Sequence, residues 1–217
     1  MKYISIIILL VTLSCSGSKV IFNEKFNNNK NKWSTKDTKD FKVSLDSGVY
    51  YVNKKIKNFE SRGCLWLNKE IKRFNTARDF TISFNLKVLS QEDIVQLFDF
   101  MWGNIDLKEA TENQQLFYQI NIAQNYVQLN SFGIIEKSSR KGWSYGNKVN
   151  SISKNYKINE WSLIKIMQRD KILTVYIDNK EVFKSKIDPI PGNMIGIQNC
   201  FKCEFLIDDL RIERIKK

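Results

Sequence analysis

The chain of 217 residues contains no histidine, only two prolines and nine glycines. Without histidine, the Ser-His-Asp and Cys-His arrangements of nucleophilic catalysis are excluded, and a zinc site loses its usual nitrogen ligand. Because no segment is rich in proline, glycine or serine, no linker divides the chain, and the sequence predicts a single domain. Hydrophobic residues make up 42% and aromatic residues 12% of the chain. This composition can supply a core and excludes an intrinsically disordered protein.

Helical periodicity is also nearly missing, whereas alternation with a period of two is frequent. Only residues 107–114, "LKEATENQ", have helical composition, and they predict no more than a loop turn. Residues 159–187, "NEWSLIKIMQRDKILTVYIDNKEVFKSKI", contain three alternating runs separated by "RDK" and "DNK". Such runs predict antiparallel strands joined by hairpins. About a dozen strands of this kind are expected, with residues 142–157 as a loop, so the fold class is an all-β sandwich or barrel.

The N-terminus predicts export. Lys2 is followed by an apolar stretch at residues 4–13, which is too short to span a bilayer, and then by Ser14 and Cys15. The run "VTLSCSGSK" resembles a bacterial lipobox, although Thr12 stands where leucine is preferred. This resemblance implies a signal peptide at 1–14, lipid attachment at Cys15, a tether at 15–19 and a domain at 20–217. An ordinary signal peptide is the alternative.

The lipobox also implies a location at the cell envelope. We expect an exported outer-membrane lipoprotein that faces the periplasm or the surface, with the membrane as a partner through its lipid anchor. The composition, rich in Lys, Asn and Ile, suits an AT-rich genome such as those of Bacteroidota.

The chain is strongly basic, with a formal net charge of +12, which becomes +11 without residues 1–14 because these carry only Lys2. Such a charge is typical of proteins that bind nucleic acid, anionic polysaccharide or an anionic membrane surface. Export argues against nucleic acid. Because no run of five like charges occurs, the favoured interpretation is that lysines are spread evenly for solubility.

If Cys15 carries lipid, Cys64, Cys200 and Cys203 remain, and at most one disulfide forms. The spacing of Cys200 and Cys203 matches that of a redox motif, but the pair stands between predicted strands and not at a helix N-terminus that would lower a thiol pKa. A local disulfide between Cys200 and Cys203, or two packed thiols, is therefore favoured over catalysis.

Several segments resemble, in order, the concanavalin A-like lectin/glucanase domains, which include laminin-G-like modules of bacterial lipoproteins. The segments that carry this resemblance are "DFTISFNLKV", "FMWGN", "LFYQINI", "YIDNKEVF", "PGNMIGI" and "FLIDDLRI". The resemblance as a whole covers roughly residues 20–215. The resemblance implies a jelly-roll sandwich of two curved antiparallel sheets, whose concave face often binds saccharides. A shared fold does not by itself establish function.

Some members of this superfamily are glycoside hydrolases with the signature Glu-x-Asp-x-x-Glu, in which the first and last glutamates act as nucleophile and acid/base. The nearest match is "NIDLKE" at 104–109, where Asn104 replaces the nucleophile and Glu109 occupies the last position. An amide cannot form the glycosyl ester, so the match is attributed to chance and enzymatic activity is not favoured. A hydrolase of this fold, or a structural or protein-interaction lipoprotein, remains the alternative.

Two neighbouring predicted strands place amides and aromatic rings on one face. Amides hydrogen-bond sugar hydroxyls and rings stack on sugar CH faces, so we expect a non-catalytic carbohydrate site, with a solvated outer face as the alternative. The candidate residues, including two tryptophans at the rim, are Trp102, Phe117, Gln119, Asn121, Tyr126, Gln128, Asn130 and Trp143.

The remaining expectations concern ligands and core. The basic charge makes an anionic polysaccharide a reasonable first ligand. No cofactor is expected, and Asp99, Asn104 and Asp106 give only a poor indication of calcium. The other three tryptophans, Trp33, Trp66 and Trp161, are assigned to the core.

Overall fold

The computed structural model describes residues 17–55, 64–91, 98–104, 115–123, 126–137, 140–144, 148–153 and 156–216, and for 91, 115, 134–137, 140–144 and 148–153 it describes the backbone alone. These residues form β-strands and no helix, so none of them belongs to a helix long and apolar enough to cross a membrane. The strands are β1 Ser18–Glu24, β2 Lys36–Asp37, β3 Phe41–Asp46, β4 Val49–Lys54, β5 Leu65–Glu70, β6 Phe80–Gln91, β7 Phe98–Gly103, β8 Gln115–Ile122, β9 Tyr126–Lys137, β10 Arg140–Ser144, β11 Lys148–Ser153, β12 Ser162–Arg169, β13 Ile172–Ile177, β14 Lys180–Lys186, β15 Met194–Asn199 and β16 Cys203–Ile215.

The strands form two antiparallel sheets. The large sheet has nine strands in the order β14-β13-β12-β6-β16-β4-β3-β2, with β1 also pairing with β16. The small sheet has seven strands in the order β10-β9-β8-β7-β15-β5, with β11 also pairing with β9. The predicted all-β jelly-roll sandwich is confirmed.

The core lies between the two sheets and follows from the alternation in sequence. On β6, Phe80, Ile82, Phe84 and Leu86 are all buried. Phe84 stacks on Phe100 of the small sheet, with ring centroids 5.0 Å apart. Each such side chain contributes about 1.5–3 kcal/mol when it is fully buried.

The hairpins predicted at 159–187 are confirmed as β12, β13 and β14. Their turns place Asp170, Lys171, Asp178 and Asn179 at positive φ, between 50° and 62°. Asp and Asn adopt this region more readily than most residues, and paired positive φ values match the right-handed twist of hairpins.

The loop predicted at 142–157 is wrong, because β10 and β11 lie largely in this region and both pair with β9. These segments are rich in Ser, Asn and Lys and lack apolar alternation. Backbone hydrogen bonds to β9 extend the sheet, which a side-chain pattern does not reveal.

The disulfide predicted between Cys200 and Cys203 is also wrong. Cys64 is bonded to Cys200. The register of β5 with β15 pairs Leu65 with Asn199. Cys64 precedes Leu65 and Cys200 follows Asn199, so the antiparallel pairing places the two cysteines opposite each other. Cys203 begins β16 and points into the core, where burial, with a smaller contribution from the Asp99 carboxylate, raises the pKa of its thiol to about 12.

The start of the fold differs from the expected boundary. Ser18 and Lys19, assigned to a tether, belong to β1 and pair with Ile215 and Arg214 of β16. Residues 1–14 and Cys15 lie outside the described residues.

Candidate functional site

The candidate site lies on the outward face of the small sheet, where register places polar residues of adjacent strands side by side. Gln119 of β8 pairs with Asn130 of β9, and Asn121 of β8 pairs with Asp99 of β7. Asp99 in turn pairs with Gln198 of β15. We call this surface the amide face. Its members are Trp66, Asn68, Glu70, Asp99, Met101, Phe117, Gln119, Asn121, Tyr126, Gln128, Asn130, Phe132, Met194 and Gln198.

A row of hydrogen bonds crosses this face. The Gln128 Nε2 donates to Asn130 Oδ1 at 2.5 Å, and the Asn130 side-chain amide donates to Asn121 Oδ1. Asn121 Nδ2 then donates to the Asp99 carboxylate, which is only 1% exposed. Each amide is oriented by its neighbour, so the row is fixed before any ligand arrives.

Like Gln168 of the large sheet, Gln119 of this face is a buried amide with an unused hydrogen-bond acceptor among the described residues. It is 3% exposed, and its Nε2 donates to Gln198 Oε1 at 3.2 Å. Its Oε1 accepts no hydrogen bond within the part of the chain that the structure describes. If the two amides were both turned over, one end of Gln119 would again lack a partner. A buried polar group in this state costs about 1–3 kcal/mol, which a ligand hydroxyl would recover.

Aromatic rings lie beside these amides. Trp66 of β5 is 40% exposed, and its ring meets the Phe117 ring edge-on at 6.3 Å. Phe117 is fully buried and stacks on Phe132 at 4.9 Å. Phe117, expected to contact a ligand, instead supports the ring of Trp66 from the side.

Tyr126 is half-buried at the other side of the amide row. Burial raises the pKa of its phenol, and the nearby Asp99 carboxylate raises it further. The phenol therefore stays neutral at physiological pH and can both donate and accept a hydrogen bond.

The structure corrects three of the tryptophan assignments and confirms one. Trp102, expected at the rim, is 1% exposed and packs in the core against Tyr118 at 5.8 Å. Trp66 and Trp161, expected in the core, are 40% and 45% exposed, whereas Trp33 is buried as expected. Trp143 lies in β10, in register with Ile134, and its side chain is outside the described residues.

Sequence reasoning missed Trp66 although its signal was present. In "LWLN" the apolar neighbours Leu65 and Leu67 both point inward. Strict alternation then puts Trp66 on the opposite face. Gln198 was missed for a different reason, because β15 is distant in sequence from β8. Asp99, considered only as a calcium ligand, lies on β7, which directly precedes β8 in the chain.

The amide face carries no positive charge among its described side chains. Its ionisable carboxylates are Asp99 and Glu70, and no described side chain on it is a lysine or arginine, although the backbone register pairs Lys148 of β11 with Asn130.

The two carboxylates are too far apart for glycoside hydrolysis. Asp99 pairs with Gln198, whereas Glu70 pairs with Met194, four residues further along β15. With about 3.4 Å per residue and about 4.8 Å between strands, this places them roughly 16 Å apart. Retaining and inverting mechanisms need about 5–5.5 Å and about 6.5–9.5 Å. In the segment 104–109, only Asn104 is described, and its backbone N–H donates to the Leu116 carbonyl at 2.7 Å.

The proposed calcium ligands do not come together. Asp99 and Asn104 are separated by most of the length of β7, roughly 17 Å, so they cannot share an ion. Asp106 lies outside the described residues. Within the described ranges, no group of three or more acidic or cysteine residues could hold a metal ion.

Comparison with solved structures shows the fold. The κ-carrageenase of Pseudoalteromonas carrageenovora is 11% identical, with 95% of this chain and 99% of that chain covered and a TM-score of 0.58. The β-glucanase of Bacillus licheniformis is 13% identical, with 94% and 100% covered and a TM-score of 0.57. A Bacillus subtilis protein of unknown function with a galectin-like fold is 6% identical, with 91% and 97% covered and a TM-score of 0.62.

At such low identity, the structural similarity shows a shared jelly-roll fold and not a shared activity. No protein-family model matches the chain, and no curated protein matches it.

Proposed function

We propose that this protein is a non-catalytic saccharide-binding protein that binds its ligand on the amide face. The observation that carries the proposal is Gln119, a buried amide whose Oε1 has no described hydrogen-bond partner, on the same face as the exposed ring of Trp66. Solved structures with this fold include a κ-carrageenase and a β-glucanase, and both act on polysaccharides by name. The separation of Asp99 and Glu70 supports binding without hydrolysis.

Each part of the face has a role in this proposal. The apolar side of a sugar ring stacks on Trp66, and a hydroxyl donates to Gln119 Oε1 while Gln128 and Asn130 bind a neighbouring unit. The hydrogen-bonded row is already ordered, which lowers the entropy cost of binding. Because each sugar hydroxyl exchanges water for protein at a gain of about 0.5–1.5 kcal/mol, we expect dissociation constants of about 10 µM to 1 mM.

The ligand we propose is a neutral glycan. The net charge of the chain first suggested an anionic one, but the described members of the amide face include Asp99 and Glu70 and no cation. The Asp99 carboxylate lies buried beneath this face and would repel a sulfate or carboxylate on the sugar.

The protein is further proposed to be exported and anchored by lipid at Cys15. The support is the lipobox-like run around Cys15, together with strand β1, which begins three residues later at Ser18. The wild-type protein should label with a palmitate analogue and enter a detergent phase, and Cys15→Ala should abolish both. A soluble, unlabelled wild-type protein would indicate an ordinary signal peptide.

The saccharide proposal is tested by a glycan array followed by titration of the neutral glycans that bind. Gln119→Ala combined with Gln128→Ala should weaken binding at least about tenfold, which is about 1.4 kcal/mol. The matched control is Asn53→Ala with Asn85→Ala, which removes amides from the outward face of the large sheet and should leave affinity unchanged. Circular dichroism should show that both variants are folded.

Two outcomes would contradict the proposal. Silence across neutral and acidic glycans would favour a structural or protein-interaction role. Release of reducing ends from β-glucans would show hydrolysis, and its loss in Glu109→Gln would assign catalysis to the segment 104–109.

A further inference from the structure

Positive charge gathers at one end of the sandwich, among the segments there that the structure describes. Five segments meet there, residues 17–19, 72–79, 169–171, 186–188 and 214–216, and they carry nine cations and three acids, a surplus of six in a chain with a net charge of +12. We call this surface the basic end. Its cations are Lys19, Lys72, Arg73, Arg78, Arg169, Lys171, Lys186, Arg214 and Lys216.

Hydrogen bonds hold these segments together. Lys216 N donates to the Gly17 carbonyl at 3.1 Å, which joins the first described segment of the chain to the last. Arg214 Nη2 donates to the Arg73 carbonyl at 3.0 Å, and Asp170 N donates to Asp79 Oδ1 at 3.1 Å.

A further hydrogen bond connects the remaining segment, residues 186–188, to this group. Ile187 N donates to the Lys171 carbonyl at 2.9 Å, so the end of β14 lies beside the turn between β12 and β13. The grouping of charge is therefore a property of the folded protein, which no run in the sequence reveals.

The opposite end of the sandwich gives a comparison. Its described segments, residues 39–40, 54–55, 157–160, 178–180 and 200–204, carry six cations and four acids, a surplus of two. The lysines are divided almost evenly, five at the basic end and six here, so the difference in surplus comes from four arginines at the basic end and one acid fewer. At the basic end the acids neutralise little, since the Lys171–Asp188 pair is 4.0 Å long and both side chains are more than half exposed.

The basic end also lies where a lipid anchor would emerge. Gly17 is two residues after Cys15, a span of at most about 7 Å, which is shorter than the Debye length of about 8 Å at physiological salt. The basic end would then lie within reach of the electrostatic potential of the membrane surface. Lysine and arginine in such a position are attracted to anionic lipid.

We propose that the basic end docks on anionic phospholipid head groups of the membrane that holds the anchor. The proposal takes its setting from the lipid attachment at Cys15, but the docking itself needs no lipid. Strands β1, β6, β12, β14 and β16 all begin or end here. Docking would therefore orient these strands roughly perpendicular to the membrane plane. The amide face would then lie along its flank, away from the bilayer.

The test uses the chain from Ser16, which lacks the lipid and contains every described residue. Vesicles of phosphatidylcholine mixed with phosphatidylglycerol should bind it at least about tenfold better than phosphatidylcholine alone, and salt should remove the difference. Lys19→Glu, Lys72→Glu and Lys186→Glu together should reduce binding to the anionic vesicles by at least about tenfold.

The matched control places the same charge change elsewhere. Lys30→Glu, Lys39→Glu and Lys180→Glu together should reduce binding less than about twofold. Equal losses in the two variants would overturn the proposal in favour of total charge. It would also be overturned by equal binding to both vesicle types, or by binding to soluble dextran sulfate without binding to vesicles.

This result is separable from the other proposals. Palmitate labelling of the full chain reports on Cys15 whatever the vesicles show. Neutral-glycan binding by the charge-reversal variant should equal that of the unmodified chain, since none of its three sites lies on the amide face.

Discussion

The outward faces of the two sheets carry similar residue types but use them differently. On the large sheet, lysines cover the rings: Lys42 Nζ lies 5.8 Å from the Tyr51 ring centroid, and Lys165 Nζ lies 5.5 Å from that of Tyr176. On the small sheet, rings pack on rings, as Phe117 does on Phe132. Lysine stems shield aromatic surface from other partners, so the small sheet is the better surface for a sugar.

The amides differ in the same way. Asn85 on the large sheet is hydrogen-bonded to Asp209 at 3.4 Å at an exposed position. Asn121 on the small sheet is 6% exposed and lies between Asn130 and Asp99 in the amide row. An exposed hydrogen bond is replaced by water when it is lost, whereas a buried one leaves an unsatisfied group. Burial therefore decides how much each amide contributes.

The largest expected effect comes from releasing the edge of the small sheet. Cys64 and Cys200 are 136 residues apart in sequence, and their disulfide holds the edge strand β5 to β15. Replacing both with alanine should lower the free energy of unfolding by about 2–5 kcal/mol, measured by urea denaturation. It should also weaken glycan binding, because β5 carries Trp66. An unchanged midpoint under oxidising conditions would contradict the disulfide.

The second prediction concerns a substitution that interrupts the row of hydrogen-bonded amides. Asn121→Ala removes one hydrogen-bond donor from the buried Asp99 carboxylate and one acceptor from Asn130. We expect a loss of about 1–3 kcal/mol in the free energy of unfolding. The control Asn85→Ala should change the free energy of unfolding by less than about 0.5 kcal/mol, because surface substitutions usually have effects of this size. Equal effects would mean that the two faces do not differ in this respect.

Much of this fold could be predicted from local pattern. The alternation of Phe80, Ile82 and Phe84 and the turns at Asp170 and Asp178 are local, and the strands they indicate are present. The region at 142–157 could not be predicted in this way, because polar strands that pair through their backbone leave no apolar period.

The site was predictable only within one hairpin. Gln119 and Gln128 lie on consecutive strands, so alternation alone brought them together. Trp66 and Gln198 come from β5 and β15, and their position beside Asp99 depends on strand order across the sheet. The disulfide between Cys64 and Cys200 depends on the same order. Long-range pairing is what a single sequence does not supply.

The third prediction compares two tryptophans of similar exposure, Trp66 on the small sheet at 40% and Trp161 immediately before β12 at 45%. Trp66→Ala should weaken neutral-glycan binding at least about tenfold, about 1.4 kcal/mol, because the stacking surface is lost. Trp161→Ala should leave affinity unchanged. Fluorescence titration separates the two rings, because the glycan should change the emission of Trp66. This change should persist in the Trp161→Ala variant. A glycan response that is lost with Trp161 would move the site to the large sheet.

The smallest effect is expected from the lysine-covered rings of the large sheet. Lys165 and Tyr176 are register partners on β12 and β13, and the ammonium lies over the ring. An exposed pair of this kind contributes about 0.5–1 kcal/mol. Lys165→Met keeps most of the apolar stem, so it should cost only about 0.5 kcal/mol in unfolding free energy. A double-mutant cycle with Tyr176→Leu isolates the coupling between the two side chains. Glycan affinity should stay constant throughout the cycle, and a change in affinity would show that the large sheet shares in binding.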